Sequence, residues 1–298
     1  MGNIFGELAS LATALCWTVT SLAFESAGKK VGSLSVNLIR LVLAFFLIGI
    51  FSYLRNGLFV ATDASLYAWG WLAISGVIGF VIGDLLLFQA FVVIGARVSM
   101  LIMALTPPIA AFFGWVILNE QMPISGLIGM AVTIIGIIIV IMAKETHSKT
   151  VKIKYPIRGV LLAFGGAVGQ GLGLVFSKLG MKDYDPFLST QIRILAGIVG
   201  FSILFFVLGK WKHVFMALCN KKAMVGISIG SIFGPFLGVS LSLLAIQHTT
   251  TGIASTIMAI VPVLIIAPAV IIFKEKITPK EILGAIIAFA GVVMFFIF

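Results

Sequence analysis

Apolar stretches of about 20 residues, the length that crosses the hydrocarbon core of a bilayer, follow one another along this chain with only short breaks between them. They lie at 5–24, 35–54, 68–92, 98–118 and 124–143, then at 157–177, 187–208, 223–246, 252–273 and 280–297. Backbone N–H and C=O groups find no water in lipid, so only helices and closed barrels satisfy them there. A barrel would alternate apolar and polar residues in segments of about ten, and these runs do not alternate. With 61% of its residues hydrophobic and 10% charged, the chain is also far more apolar than a water-soluble globule, where roughly half is usual. The expected fold class is an all-α integral membrane protein of ten transmembrane helices. Its connectors are too short to hold a soluble domain, so function belongs to the bundle.

A net charge of +10 need not mean nucleic acid. The basic residues sit in brief clusters between apolar runs, where they set orientation by the positive-inside rule. Counted in alternate connectors, 15 fall on one side (among them Lys29, Lys30, Arg97, Lys144, Lys154, Lys210, Lys221 and Lys274) and three on the other, Arg55, Lys178 and Lys182. That asymmetry puts the connectors after the first, third, fifth, seventh and ninth runs in the cytoplasm. Both termini are then extracytoplasmic, in a multi-pass protein of the cell membrane. The opening MGNIFGE lacks the basic region of a cleavable signal, so the first run is expected to be retained. Two cysteines, Cys16 in a run and Cys219 in a connector, offer no disulfide framework.

Residues 103–120 read MALTPPIAAFFGWVILNE and residues 258–275 read MAIVPVLIIAPAVIIFKE. A shift of 155 pairs Met103 with Met258, Pro107 with Pro262, Glu120 with Glu275, Gly129 with Gly284, Gly136 with Gly291, and Gly79 and Gly83 with Gly234 and Gly238. A shift of 153 pairs Gly6 with Gly159 and Arg40 with Arg193. Chance likeness among apolar segments would match Leu and Val, and would seldom align Pro, Glu, Gly and Arg together. The chain divides into halves of five helices, 1–145 and 157–298, around a basic connector at 146–156. Five is odd, so the second half enters the membrane inverted, the architecture of secondary transporters with a midplane site.

The stretch GVIGFVIGDLLLFQAFVVIGARVSMLIMALTPPIAAFFGWVILNE and its partner MAIVPVLIIAPAVIIFKEKITPKEILGAIIAFAGVVMFF resemble the paired EamA domains of the drug/metabolite transporter superfamily. The likeness covers nearly the whole chain, and Trp17 in ALCWTVT resembles that family's first-helix Trp. The resemblance implies a ten-helix bundle whose helices 1, 3, 4, 6, 8 and 9 line a cavity, carrying metabolites such as amino acids, often outward. It also implies cytoplasmic termini, against the charge count here.

Individual residues carry their own physics. Pro107 and Pro262, with Pro108 and Pro268, remove backbone donors and either kink a helix or free carbonyls toward a cavity. The glycines seven apart at 129/136 and 284/291 make smooth stripes for close helix contact, and Glu120 and Glu275 read as helix-end residues. Ionisable residues inside apolar runs are functional candidates that need named partners. Asp84 is expected either to form a structural ion pair with Arg40 or to act directly, on the substrate in the cavity or as a group that couples transport to protons. Glu7 and Arg193 are expected near the outer face, and Glu25 and Lys178 are expected to reach water from helix ends. Trp17 and the equivalent Gln170, with the flexible Met103 and Met258, are the remaining candidates for the substrate cavity; each also has a plain packing role.

Other classes fare worse. His147, His213 and His248 show no metal-ligand spacing, the IGD at 82–84 has no second intramembrane Asp to form a protease dyad, and no cofactor or metal is expected. A channel-like facilitator or a membrane sensor remains the alternative to a transporter. With few fixed charges, the cavity is expected to suit a small amino-acid-like or amphipathic substrate rather than a multiply charged phosphate.

Overall fold

The chain is seen in a computed structural model, which describes residues 4–118, 124–141, 155–248, 254, 257–274 and 277–297. All regular structure among them is helical. The first half holds α1 (Ile4–Val31), α2 (Ser33–Asn56), α3 (Leu66–Gly76), α4 (Asp84–Ile102), α5 (Thr106–Leu118) and α6 (Ile124–Ile141). The second holds α7 (Ile157–Met181), α8 (Pro186–Leu208), α9 (Trp211–Cys219), α10 (Lys221–Ser231), α11 (Val239–His248), α12 (Val261–Leu264), α13 (Ile266–Phe273) and α14 (Pro279–Ile297). Among the described residues, six apolar helical stretches are long enough to cross a membrane, and Ala131–Val140 and Val261–Ile272 are shorter apolar helices.

Local chemistry sets the ends. Asp185 accepts hydrogen bonds from the Phe187 and Leu188 amides while Pro186 occupies the first turn, whose missing N–H costs nothing there. Ser65 and Asn220 accept from Ala68 and Ala223 in the same way. Gly57 and Gly209 close α2 and α8 in the left-handed conformation that glycine adopts without strain. Gly95, at φ 81 and ψ 160, breaks α4, within the gap expected between runs 68–92 and 98–118.

Between α3 and α4 the chain winds as a π-helix, Val77–Gly83, and between α10 and α11 it does so again, Ile232–Gly238. The two segments are 155 residues apart, so the backbone irregularity repeats with the sequence. Packing repeats as well. Helix α1 lies against α10, the second π segment and α11, while its counterpart α7 lies against α3, the first π segment and α4. A hydroxyl ties each crossing: Thr20 donates to the Gly230 carbonyl at 2.7 Å, and Ser75 to the Gly173 carbonyl at 2.6 Å. Equivalent helices also pair, α2 with α8 and α6 with α14. In the second pair the expected glycine stripes meet: a Cβ on Gly136 would lie 2.3 Å from the Ala288 nitrogen, and one on Gly291 2.4 Å from the Thr133 nitrogen.

Three expectations change. Helix α1 runs on to Val31, beyond residue 24, because Glu25 is buried rather than snorkelling. Its carboxylate accepts the Ala96 amide at 2.8 Å, just past the Gly95 break, and pairs with Lys29. Arg193, expected near the outer face, is also buried, with its side chain turned into the bundle. Helix α9 was not expected at all; it follows a break too rich in Lys to read as a span. Lys178 is exposed, and Glu120, Glu275 and the connector at 146–154 lie outside the described residues.

At the end of the bundle away from Lys29 and Lys30, hairpins of the two halves touch. Arg55 pairs with Asp185 at 2.9 Å, and the Tyr184 hydroxyl donates to Asp63 at 2.5 Å. Burial, then Asp63, pushes the Tyr184 phenol well up from its usual range. Gln191 donates to the Phe59 carbonyl, and Gln247 to that of Tyr184.

Candidate functional site

Arg40 and Arg193 are each the eighth residue of their helix, α2 and α8. At about 1.5 Å per residue, both guanidinium stems start roughly 10 Å inside the bundle. Lipid is no place for either, and both turn inward: Arg40 is 3% and Arg193 4% exposed.

Arg40 is paired with an acid. One terminal nitrogen donates to Asp84 Oδ2 and its Nε donates to Asn37 Oδ1 at 3.1 Å. Asn37 in turn donates to the Asp84 carbonyl at 3.2 Å. Three rings surround the guanidinium, with Phe88 at 4.5 Å and Phe24 and Phe80 both at 5.6 Å, distances at which a ring face attracts a cation. The other oxygen of Asp84 accepts from Gln170 Nε2 at 2.6 Å, and that amide also donates to the Gly79 carbonyl inside the π segment. The π winding thus serves the site: it ends at Gly83 and presents Asp84 as the first residue of α4, and the Gly79 carbonyl accepts both the Asp84 backbone amide and the Gln170 side chain.

These groups form one wall of a cavity of about 170 Å³, similar to the roughly 150 Å³ hollow that holds benzene in an engineered protein core. All eight residues named from the sequence line it: Trp17, Arg40, Asp84, Met103, Pro107, Gln170, Met258 and Pro262. Met103 opens a short 3₁₀ turn, 103–105, directly before the Pro107 helix, and Pro262 stands in the first turn of α12. Neither proline interrupts a continuous helix; each starts a new segment after a non-α turn. Trp17, equivalent to Gln170, does a different job. Its ring covers Gly238, where a Cβ would come within 3.0 Å of the indole nitrogen.

Arg193 joins them and was missed as a lining residue. Its guanidinium carbon lies 4.8 Å from the Phe80 ring centre, on a ring it shares with Arg40. The equivalence of Arg40 and Arg193 was the available signal, since one buried arginine implies the other. Summed over charged side chains, the cavity wall holds two cations and one anion.

Among the described residues no cluster of His, Cys, Asp or Glu suits a metal ion. Arg97 and Glu281 approach to 3.7 Å, and Tyr155 donates to Glu281 at 2.8 Å, near the basic end and outside the cavity lining.

Comparison with known proteins places this geometry. The chain is 24% identical over 222 residues to an uncharacterized transporter of Clostridium kluyveri, a match spanning 74% of this chain and 70% of the relative. It is 27% identical over 127 residues to an uncharacterized transporter of Archaeoglobus fulgidus, 42% of each chain. One crystal structure matches with a TM-score of 0.64 over 97% of this chain and 95% of the other, at 16% identity, a likeness of fold. The model of the EamA-like transporter family matches twice, over residues 4–142 and 157–297, and by that match the chain belongs to the EamA-like transporter family.

Proposed function

We propose that this multi-pass membrane transporter is a secondary transporter of the cytoplasmic membrane, moving a small metabolite by alternating access between two inverted five-helix halves. Ten crossings follow if the 52-residue run Leu66–Ile117, roughly 78 Å of helix against a core of about 30 Å, crosses twice around Gly95. The Ile124–Ile141, Val261–Phe273 and Pro279–Ile297 regions supply the rest. The observation that carries the reading is the paired construction of the cavity. Met103 and Met258, Pro107 and Pro262, Arg40 and Arg193, and Trp17 and Gln170 face one hollow as equivalents from opposite halves. Two walls of one design, facing each other, are what a site must have if the halves exchange shapes to open it on alternate sides. Net export, the direction suggested by family resemblance, completes the proposal.

The touching hairpins at Asp63 and Tyr184 supply the test. In a Cys16→Ala, Cys219→Ser background, Asp63→Cys and Tyr184→Cys are joined by a short bis-maleimide in proteoliposomes, and counter-flow of amino acids and amphipathic solutes is followed. Cross-linked protein is expected to lose at least nine-tenths of its flux while each single-cysteine control keeps it. Undiminished flux through the joined protein would mean a channel-like path, and binding without flux in the uncross-linked protein would mean a sensor.

A further inference from the structure

Of the charged residues that line the cavity, Asp84 alone lacks a charged counterpart in the other half, and the difference leaves Arg193 incomplete. In the first half, Arg40 meets Asp84, the residue that directly follows the π segment Val77–Gly83. In the second half the residue that directly follows the π segment Ile232–Gly238 is Val239, and it too lines the cavity. The repeat therefore builds two arginine sites and provides an acid for one.

Arg193 shows the consequence. It is buried to the same extent as Arg40, its Nε has no hydrogen-bond partner, and no carboxylate lies within ion-pair distance of it among the described residues. Asp84 attracts Arg193 through space but makes no hydrogen bond or contact ion pair with it; its oxygens contact Arg40 and Gln170 instead. What Arg193 does have is the Phe80 face, and a Cβ added to Gly79 would lie 3.3 Å from its Nη2, so glycine keeps the approach to that nitrogen clear. A guanidinium with free donors is a fork shaped for a carboxylate. A buried cation without a contact ion pair is costly, and a solute carboxylate that supplies one removes that cost.

We infer that Arg193 is the anchor for a solute carboxylate, and that the cargo is a small monocarboxylate with an apolar body, its carboxylate taking the place that Asp84 takes toward Arg40. The inference rests on the transport reading of this same cavity and names its substrate class. The rest of the lining agrees: Trp17, Phe91, Met100, Met103 and Met258 offer apolar and polarisable surface for the body of the solute. Among the described residues, the cavity lining has no acid besides Asp84, which Arg40 and Gln170 already hold, to take a cationic group.

The test measures binding to the purified full-length protein in nanodiscs. The probes are phenylacetate and 4-methylpentanoate, their neutral amides, and phenethylamine as a cation of matched size. The acids are expected to raise the unfolding midpoint and to bind at least tenfold more tightly than the amides or the amine. Arg193→Gln breaks no internal ion pair, so it should fold with an unliganded midpoint no lower than that of the parent. It should bring the acids down to the affinity of the amides. Val239→Asp gives Arg193 an internal counter-charge, and is expected to raise the unliganded midpoint and abolish acid binding. The inference is overturned if neither acid binds better than its amide, if Arg193→Gln keeps the preference for acids, or if Val239→Asp binds acids as the parent does. Flux in proteoliposomes separates this from the transport reading. Acids that bind through Arg193 yet never move would defeat transport alone, whereas amine or amide flux that ignores acids and survives Arg193→Gln would defeat the carboxylate anchor alone.

Discussion

Asp84 is the residue on which most of the wall depends. Both of its side-chain oxygens are used, by Arg40 and Gln170, and its backbone carbonyl accepts from Asn37. Breaking a buried pair by removing one partner strands the other charge, at a cost of about 3–5 kcal/mol, whereas replacing both by uncharged residues is often neutral. Asp84→Asn alone is therefore expected to lower the apparent unfolding midpoint sharply, and Arg40→Leu alone to do the same. The double variant Asp84→Asn with Arg40→Leu should recover most of the loss, read by thermal unfolding in one detergent. The same three proteins decide about protons. If gradient-driven accumulation survives in the recovered double variant, Asp84 is wall and not proton carrier; if accumulation disappears while downhill exchange continues, Asp84 couples transport to protons.

At the scale of elements, contact between the halves rests on what is missing from the helices as much as on what they carry. Lipid tails are as apolar as Leu, so helices in a membrane associate through close packing and small residues. Helices α6 and α14 show it at Gly136 and Gly291, where the nearest atoms to an added methyl belong to backbone that cannot swing aside. Gly136→Ala and Gly291→Ala are each expected to destabilise by about 1–3 kcal/mol, the usual penalty for overpacking. Gly70, on the exposed face of α3, has nothing within 4 Å. Gly70→Ala should be neutral or gain a few tenths of a kcal/mol, as a helix-interior glycine replaced by alanine generally does. Apparent unfolding midpoints of the three variants check this, and equal midpoints for all three would deny the close approach.

For the whole molecule, orientation follows from charge rather than packing. The three basic residues of the sparse side lie near the end where Arg55 meets Asp185 and Tyr184 meets Asp63. The crowded side includes Lys29 and Lys30 at the end of α1 and Lys221 and Lys222 at the start of α10. We propose that the crowded side faces the cytoplasm, which would put the hairpin contacts between the halves at the outer end. A periplasmic-type enzyme reporter fused after Phe298 is expected to be active outside, and a cysteine placed at Lys149 to resist an impermeant thiol reagent added externally. A C-terminal fluorescent fusion that matures in the cytoplasm, with external labelling at that connector, would reverse the orientation without altering the fold.

Much of this molecule is local information, and local information is legible in a sequence. Run length and hydropathy identify the solvent, because an unpaired backbone in lipid leaves no alternative to helices. A repeat of 155 residues identifies paired walls, because Pro, Gly and Arg have backbone and charge requirements that apolar drift does not imitate. That is why Trp17, Asp84, Gln170 and the two methionines could be named before any helix was placed. Neighbours across the bundle are another matter. Glu25 was expected to reach water because its helix end is close by, yet the Gly95 break sets an open amide at Ala96 against it. Arg193 was expected near the outer face because its helix begins there, and what the sequence did not show is that its guanidinium turns inward onto Phe80. A sequence states which residue is equivalent to which. Which arginine receives an acid and which is left facing the cavity depends on helices more than forty residues apart meeting at one depth, and only the tertiary structure, by burying both guanidiniums and pairing one, decided it.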